Sequence, residues 1–147
     1  MGKTWILVAH RGGARLFENR GPGKGLDLLQ DVDFPAGKLK NHDIDSDRPG
    51  RSFDRRGHGR HAYSSENDGI HHLAEQFAKQ LCQLLDSARN QQRYHQLVLV
   101  AEPRFLGNLR AALTPQTAAM IRATLDKDLG PIADRDLPRH LDSVVLL

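Results

Sequence analysis

The sequence predicts an α/β domain, a mixed five-stranded sheet with helices on both faces. Three observations carry that expectation. A short apolar, β-rich run at residues 5–9 is followed by alternating segments broken by glycines. A helical period runs from Ile70 to Ala88, and Leu97-Val-Leu-Val-Ala101 is apolar without interruption, as a strand buried on both faces should be. At 147 residues the chain has the length of one ordinary domain, enough to bury roughly 68–70% of its unfolded surface. A single domain over residues 1–147 is therefore expected.

Taken in order, residues 5–9 read as the first strand, His10-Arg-Gly-Gly13 as its turn and residues 14–17 as the returning strand of a hairpin. The glycines from Gly21 to Gly25 make a second turn, and Leu28, Gln30, Val32 and Phe34 alternate in a third strand that Pro35 stops. The first third is thus a three-stranded meander. Residues 36–65 show no apolar period and are dominated by Gly, Arg, His, Asp and Ser. They predict a long loop, of a length that inside compact domains is usually functional or disordered.

The clearest helix follows, with Ile70, Leu73, Phe77, Leu81, Leu84 and Ala88 spaced by three and four, and with Ser65 and Asp68 in capping-box spacing at its start. Residues 97–101 are the expected central parallel strand. Beyond Pro103, residues 106–113 read as a helix, and Pro115 after Thr114 opens another toward Ile121. Residues 122–129 can form a fifth strand, and residues 134–147 a last helix whose start Pro138 restricts.

Charged residues at 27% and hydrophobic ones at 39% place the chain with globular proteins rather than with low-complexity or membrane sequences. The single cysteine, Cys82, falls on the apolar side of the predicted helix; with no second thiol it forms no internal disulfide, and a buried, inert thiol is expected. The apolar run at residues 5–9 is too short for a signal peptide or a membrane span, so a cytoplasmic protein is expected. Net charge is only +3, but it is local: Arg48, Arg51, Arg55, Arg56 and Arg60 lie within residues 48–61 against Asp54 alone. A tract of that kind reads as an interaction element.

The Walker A loop, the Gly-x-Gly-x-x-Gly turn, the Gly-x-Ser-x-Gly elbow and paired cysteine ligands are all absent, so phosphate-cradle, dinucleotide, hydrolase and zinc-finger readings lack their first residues. No catalytic residue, metal or cofactor is assigned. His71 and His72, with His58 and His61, suggest a metal site, but neighbours on a helix point about 100° apart and face one ion poorly. Surface or loop histidines are the preferred reading.

The tract at residues 48–61 joins guanidiniums to the aromatic Phe53 and to Gly57, His58, Gly59 and His61. Arginine forks grip phosphates, aromatics and guanidiniums stack on bases, and glycines let a backbone approach closely. The alternative is a solvated segment with no partner. Arg104, just after the predicted central strand, is a further candidate contact, because ligands of α/β sheets sit at the carboxyl ends of strands. Its alternative is a strand-to-helix turn in which Phe105 and Leu106 plug the core while Arg104 pairs with an acid such as Asp128.

Several of these motifs carry a resemblance: Trp5-Ile-Leu-Val-Ala9 with Ala14-Arg-Leu-Phe17, Ser46-Asp-Arg-Pro-Gly-Arg-Ser-Phe-Asp54, Gly57-His-Gly-Arg-His61, Val100-Ala-Glu-Pro-Arg-Phe-Leu-Gly107 and Asp126-Lys-Asp-Leu129. Over nearly the whole chain they resemble the bacterial host attachment protein family. That family is in turn similar to the middle domain of archaeal and eukaryotic peptide-chain release factors. The resemblance implies an RNase H-like order of elements with a long loop before the first long helix. In release factors that loop carries Gly-Gly-Gln into the peptidyl-transferase centre. The corresponding stretch here, Gly57-His-Gly-Arg-His61, has no glutamine after paired glycines, so peptidyl-tRNA hydrolysis is not implied.

The expectation is a non-catalytic ribosome- or RNA-binding module, with rRNA or tRNA as partner, acting through the basic tract. A protein-interaction module docking an acidic partner is the second reading. A metal-dependent nuclease is the third; Asp31, Asp33, Asp126 and Asp128 could supply its carboxylates, although fold alone does not license that function.

Overall fold

The computed structural model describes residues 2–10, 12–21, 24–38 and 59–144, and of residues 37, 38, 59–68, 70 and 71 the backbone alone. The basic tract from Arg48 to His58 therefore lies outside the described residues.

The sheet is built around β1 (Thr4–His10), in which Trp5, Ile6, Leu7, Val8 and Ala9 are each no more than 1% exposed. β2 (Gly13–Asn19) returns antiparallel, pairing Ile6 with Phe17 and Val8 with Arg15. β3 (Leu26–Asp33) returns again on its outer side. The turn between β2 and β3 uses Gly21 and Gly25 at φ of 118° and 74°, a region that residues with a Cβ avoid. Asn19 Oδ1 fixes its start by accepting the Gly21 N–H at 2.9 Å.

The remaining elements are α1 (Gly59–Asn90), β4 (Gln96–Val100), α2 (Pro103–Ala112), α3 (Pro115–Ala118), β5 (Ile121–Leu125) and α4 (Leu137–Leu141), with 3-10 turns at Pro35–Lys38 and Asp134–Asp136. The strand order is β3-β2-β1-β4-β5, with β4 parallel to both β1 and β5. α1 ends just before β4 begins, so it runs against the parallel strands and starts on the side of their carboxyl ends.

Strand alternation divides the core in two. On one face Trp5, Leu7, Ala9, Leu97 and Leu99 meet Phe77, Ala78, Leu81, Cys82, Leu85 and Ala88 of α1 and Phe105, Leu106 and Leu109 of α2. The helical contacts recur at i, i+4 and i+8, as one buried stripe requires. Phe77 stacks on Phe34 with centroids 4.6 Å apart, which seats the exit of β3 on α1. On the other face Ile6, Val8, Phe17, Val98 and Val100 meet Leu129, Leu137 and Leu141. α2 begins at Pro103, a turn earlier than the residue 106 expected from the sequence, because Glu102 accepts the Phe105 N–H at 2.8 Å and Pro103 fits the first turn. Thr114 and Pro115 cap and open α3 in the same way.

A polar lock joins α1 to α3. The Asp86 carboxylate accepts from the hydroxyls of Thr114, at 2.9 Å, and Thr117. Arg89 Nε adds a bond to Thr117 Oγ1 at 3.1 Å. Tyr94 donates to the Leu85 carbonyl at 2.8 Å and packs its ring 4.9 Å from that of Trp5. Cys82 is buried, and burial, reinforced by the Asp86 carboxylate, pushes its thiol up to about 12, which leaves it without thiolate character at neutral pH.

Several boundaries differ from the sequence expectation. The predicted loop at 36–65 is structured at both ends: residues 36–38 belong to a 3-10 turn, and α1 begins at Gly59. Gly59, Arg60 and His61 are therefore helical rather than loop residues, and Ser65 and Asp68 lie inside α1 instead of capping it. Residues 59–69 read Gly-Arg-His-Ala-Tyr-Ser-Ser-Glu-Asn-Asp-Gly, with no apolar period in the sequence to betray the helix. β5 stops at Leu125, not Leu129, because the chain leaves the sheet so that Leu129 can enter the second core. α3 ends at Ala118, short of Ile121, which already pairs in β5. The last helix is a 3-10 turn followed by α4, with Pro138 in its first turn. β4 is an interior strand as expected, but β1 holds the middle of the sheet.

α1 terminates in a Schellman arrangement, with Arg93 N–H bonded to the Ala88 carbonyl at 3.0 Å and Gln92 N–H to the Arg89 carbonyl at 2.9 Å. This places Gln92 at φ 57°, a left-handed conformation that glycine adopts at lower cost. Gln92→Gly is expected to stabilise the domain by roughly 0.5–1 kcal/mol. The urea midpoint followed by fluorescence of Trp5, the single tryptophan, should rise, and an unchanged or lower midpoint would refute the strain argument.

Candidate functional site at the carboxyl edge of the sheet

The alternation that buries Ile6 and Val8 on the second face carries His10 to the same face at the last position of β1. Cross-strand register then sets two rows there. His10 pairs with Gly13 and Gly13 with Asp33; Val8 pairs with Arg15 and Arg15 with Asp31. His10, Gly13, Arg15, Asp31 and Asp33, with Gly130 from the segment after β5, line an open cleft of about 300 Å³.

The His10 ring is held by backbone. Its Nδ1 accepts the Gly12 N–H at 3.1 Å, so the neutral ring carries its proton on Nε2. Glycine is required against the ring at Gly130 and against the neighbouring strand at Gly13. A Cβ on Gly130 would stand 2.9 Å from His10 Cδ2, and one on Gly13 would stand 2.8 Å from the Val32 carbonyl oxygen. Asp128 Oδ1 accepts the Gly130 N–H at 3.0 Å and shapes the turn that lies over the ring.

Arg15 closes the cleft from β2. Nη1 donates to the Ile132 carbonyl at 2.8 Å and to Asp134 Oδ1 at 2.6 Å, and Nη2 donates to the Leu129 carbonyl at 2.9 Å. The side chain is 14% exposed and its guanidinium lies 5.9 Å from the Phe17 ring centroid. One planar fork thus fastens residues 129–134 across the second face. The cleft keeps the exposed carboxylates of Asp31 and Asp33. Its lining thus sets an imidazole, a guanidinium and two carboxylates side by side.

The sequence-predicted residues fall elsewhere. Arg48, Arg51, Phe53, Arg55, Arg56, Gly57 and His58 lie outside the described residues. Gly59, Arg60 and His61 form the opening turn of α1. Arg104 is exposed in the first turn of α2, where Phe105 and Leu106 do plug the core. The suggested partner Asp128 instead holds the Gly130 N–H. Asp31 and Asp33 share the cleft, but among the described residues no three His, Cys, Asp or Glu side chains gather as a metal site would need. His10 was legible only as a turn residue; the continued parity from Ile6 through Val8 was the signal that could have found it.

Fold and cleft together define a small mixed α/β domain with an open cleft at the carboxyl end of β1, the side on which ligands of α/β sheets sit. Residues 5–141 match the family described as protein required for attachment to host cells, and the chain belongs to that family. Membership supports a function in host attachment. A comparison with curated proteins finds no match.

If the Arg15 fork fastens the C-terminal segment, Arg15→Met should cost about 1–3 kcal/mol, because it leaves several carbonyls without their charge-assisted donor. Arg15→Lys should recover only part of this, since an ammonium cannot span the same acceptors. Urea unfolding of the two variants checks the order; equal stability of Lys and Met variants would deny the fork its role.

Proposed function

We propose that this member of the host attachment family is a cytoplasmic, non-catalytic binding module that grips RNA, in the first place the ribosome, through the basic tract at residues 48–61. The observation that carries the reading is the concentration of charge: five of the 21 basic residues fall in that tract, against one of the 18 acids. Confined charge of this kind supplies phosphate contacts without sequence readout.

The described end of the tract supports the same reading. It enters α1, whose opening turn contains Arg60 and no acid. A helix N-terminus presents free N–H groups and partial positive charge, so cations there are unfavourable until an anion such as phosphate arrives. α1 has 32 residues, about 48 Å at 1.5 Å per residue, against roughly 17 Å for a five-residue strand. Its N-terminal turns stand on the carboxyl-edge side of the sheet, the side from which α/β sheets engage ligands. The host attachment role is then an indirect consequence of binding inside the bacterium.

Co-sedimentation with ribosomal subunits, compared with free protein, tests the proposal. Replacing Arg48, Arg51, Arg55, Arg56 and Arg60 by Ala should abolish co-sedimentation while leaving thermal stability nearly unchanged. For a single-stranded RNA the slope of log affinity against log salt should flatten by up to about 3.5, at roughly 0.7 per lost phosphate contact. Wild-type protein that ignores RNA but binds an acidic polypeptide of matched charge would replace this reading with an acidic protein partner.

A further inference from the structure

The end of the sheet opposite the start of α1 carries cations that the RNA reading does not use. Lys3 precedes β1, Arg20 follows β2, Arg93 lies just beyond α1, and Arg122 is in the first turn of chain entering β5. Register makes the row continuous: Asn19 pairs with Thr4 and Thr4 with Gln96. The Lys3 carbonyl accepts the His95 and Gln96 N–H groups at 2.8 and 3.1 Å, and Gln96 Oε1 accepts from Arg122 Nη1 at 3.4 Å. Arg20, Lys3 and Arg122 thus mark the ends of β2, β1 and β5, across about 15 Å at the usual strand spacing.

The row is exposed and of one sign. Lys3, Lys24 of the β2–β3 turn, Arg93 and Arg122 are exposed, and the Arg20 side chain is 61% exposed. Among the described residues no carboxylate pairs with Lys3, Lys24, Arg93 or Arg122. The acids of this end are engaged or distant: Glu18 accepts the Trp5 indole N–H at 3.3 Å, Asp86 accepts from Thr114 and Thr117, and Asp27 stands 3.8 Å from Arg20. Two of the cations are also positioned, Arg93 with its guanidinium 5.1 Å from the Trp5 ring centroid and Arg122 by Gln96. Cations set in place without a carboxylate partner give up little on meeting an anion.

A line of such charges fits a linear polyanion, whose phosphates repeat in one direction. A bilayer calls for apolar side chains beside the cations, whereas the exposed large ones among the described residues, Leu28 and Leu29, stand on β3. Trp5 and Tyr94 are buried, so the row offers bases no ring from them to stack on.

We propose that this amino edge of the sheet, from Arg20 through Lys3 to Arg122 with Arg93 beside them, is a second nucleic-acid surface, which binds the phosphate backbone of a single RNA strand without reading its bases. The choice of RNA rests on the reading above, but the edge shares no residue with the arginine tract. With about three phosphate contacts it binds weakly, so it is read at equilibrium in low salt rather than by sedimentation.

Fluorescence anisotropy of a labelled oligouridylate tests it, on the full chain and on the full chain lacking the five tract arginines. Both should bind, and Lys3→Gln, Arg20→Gln and Arg122→Gln together should weaken each roughly tenfold, the sum of three exposed ion pairs. The salt slope should flatten by about 2, at roughly 0.7 per contact. A control of equal charge, Lys79→Gln, Lys127→Gln and Arg135→Gln, alters exposed cations on other elements and should bind as its parent does. In the unsubstituted chain the oligonucleotide should shift the amide resonances of Lys3, Arg20, His95 and Arg122, a readout that does not depend on the variants folding. No binding by the chain lacking the tract arginines, equal loss in the control, or amide shifts only outside the edge overturns the inference. Edge-dependent binding to phosphatidylserine vesicles by a chain that ignores RNA would overturn it in favour of a lipid surface. Loss on edge substitution with none on tract substitution would uphold it and remove the tract reading instead.

Discussion

β1 is apolar toward both faces of the sheet, and burying both sides of that one strand is the constraint from which the remaining architecture follows. Trp5, Leu7 and Ala9 require a layer on one side, and Ile6 and Val8 require a second layer on the other. α1 supplies the first with a regular stripe of buried residues. The second is assembled from less: three leucines drawn from the irregular chain after β5 and from α4. A layer with so little regular structure needs a fastener, and the Arg15 fork across residues 129–134 provides it. The cleft beside His10 is a by-product of that arrangement, formed where the β1 parity reaches the strand end and the fastened segment passes over it.

The parts of the fold that were legible in the sequence are those in which local pattern and burial coincide. Residues 5–9 and 97–101 had to be strands covered on both sides, and the spacing from Leu73 to Ala88 had to be a helix. Thr114 and Pro115 marked a helix start through capping chemistry alone. What was misread lacked such coincidence. The first turns of α1 are helical in the backbone, but residues 59–69 are polar and small and carry no hydrophobic period in the sequence. The end of β5 was hidden because Leu129 is apolar whether it continues a strand or leaves the sheet for the opposite core.

The candidate site divides in the same way. Arg104 could be located just past an interior strand, in what proves to be the first turn of α2, because the strand itself was legible. His10, Arg15 and Gly130 were not assembled, since their neighbourhood depends on a contact between β2 and a segment more than a hundred residues later. Asp31 and Asp33 were noticed as acids but weighed for metal binding, whereas the register sets them in a cleft with an imidazole and a guanidinium already engaged by carbonyls. Long-range register of this kind leaves no trace in composition or period.

Charge in this chain is segregated: five arginines fall within residues 48–61 against one acid, whereas β3 holds three acids and no base. On the reading proposed above, the arginine tract would act through long-range attraction that salt weakens and that is indifferent to sequence. A polyanion drawn by that tract would be disfavoured at β3, because the charge there has the opposite sign. The cleft beside His10 follows a different logic, since its shape is set by close approach: a Cβ on Gly130 would meet the His10 ring, and one on Gly13 would meet the Val32 carbonyl. Sequence composition carries the first of these features and long-range register the second, which is why only the charge concentration was legible before the fold.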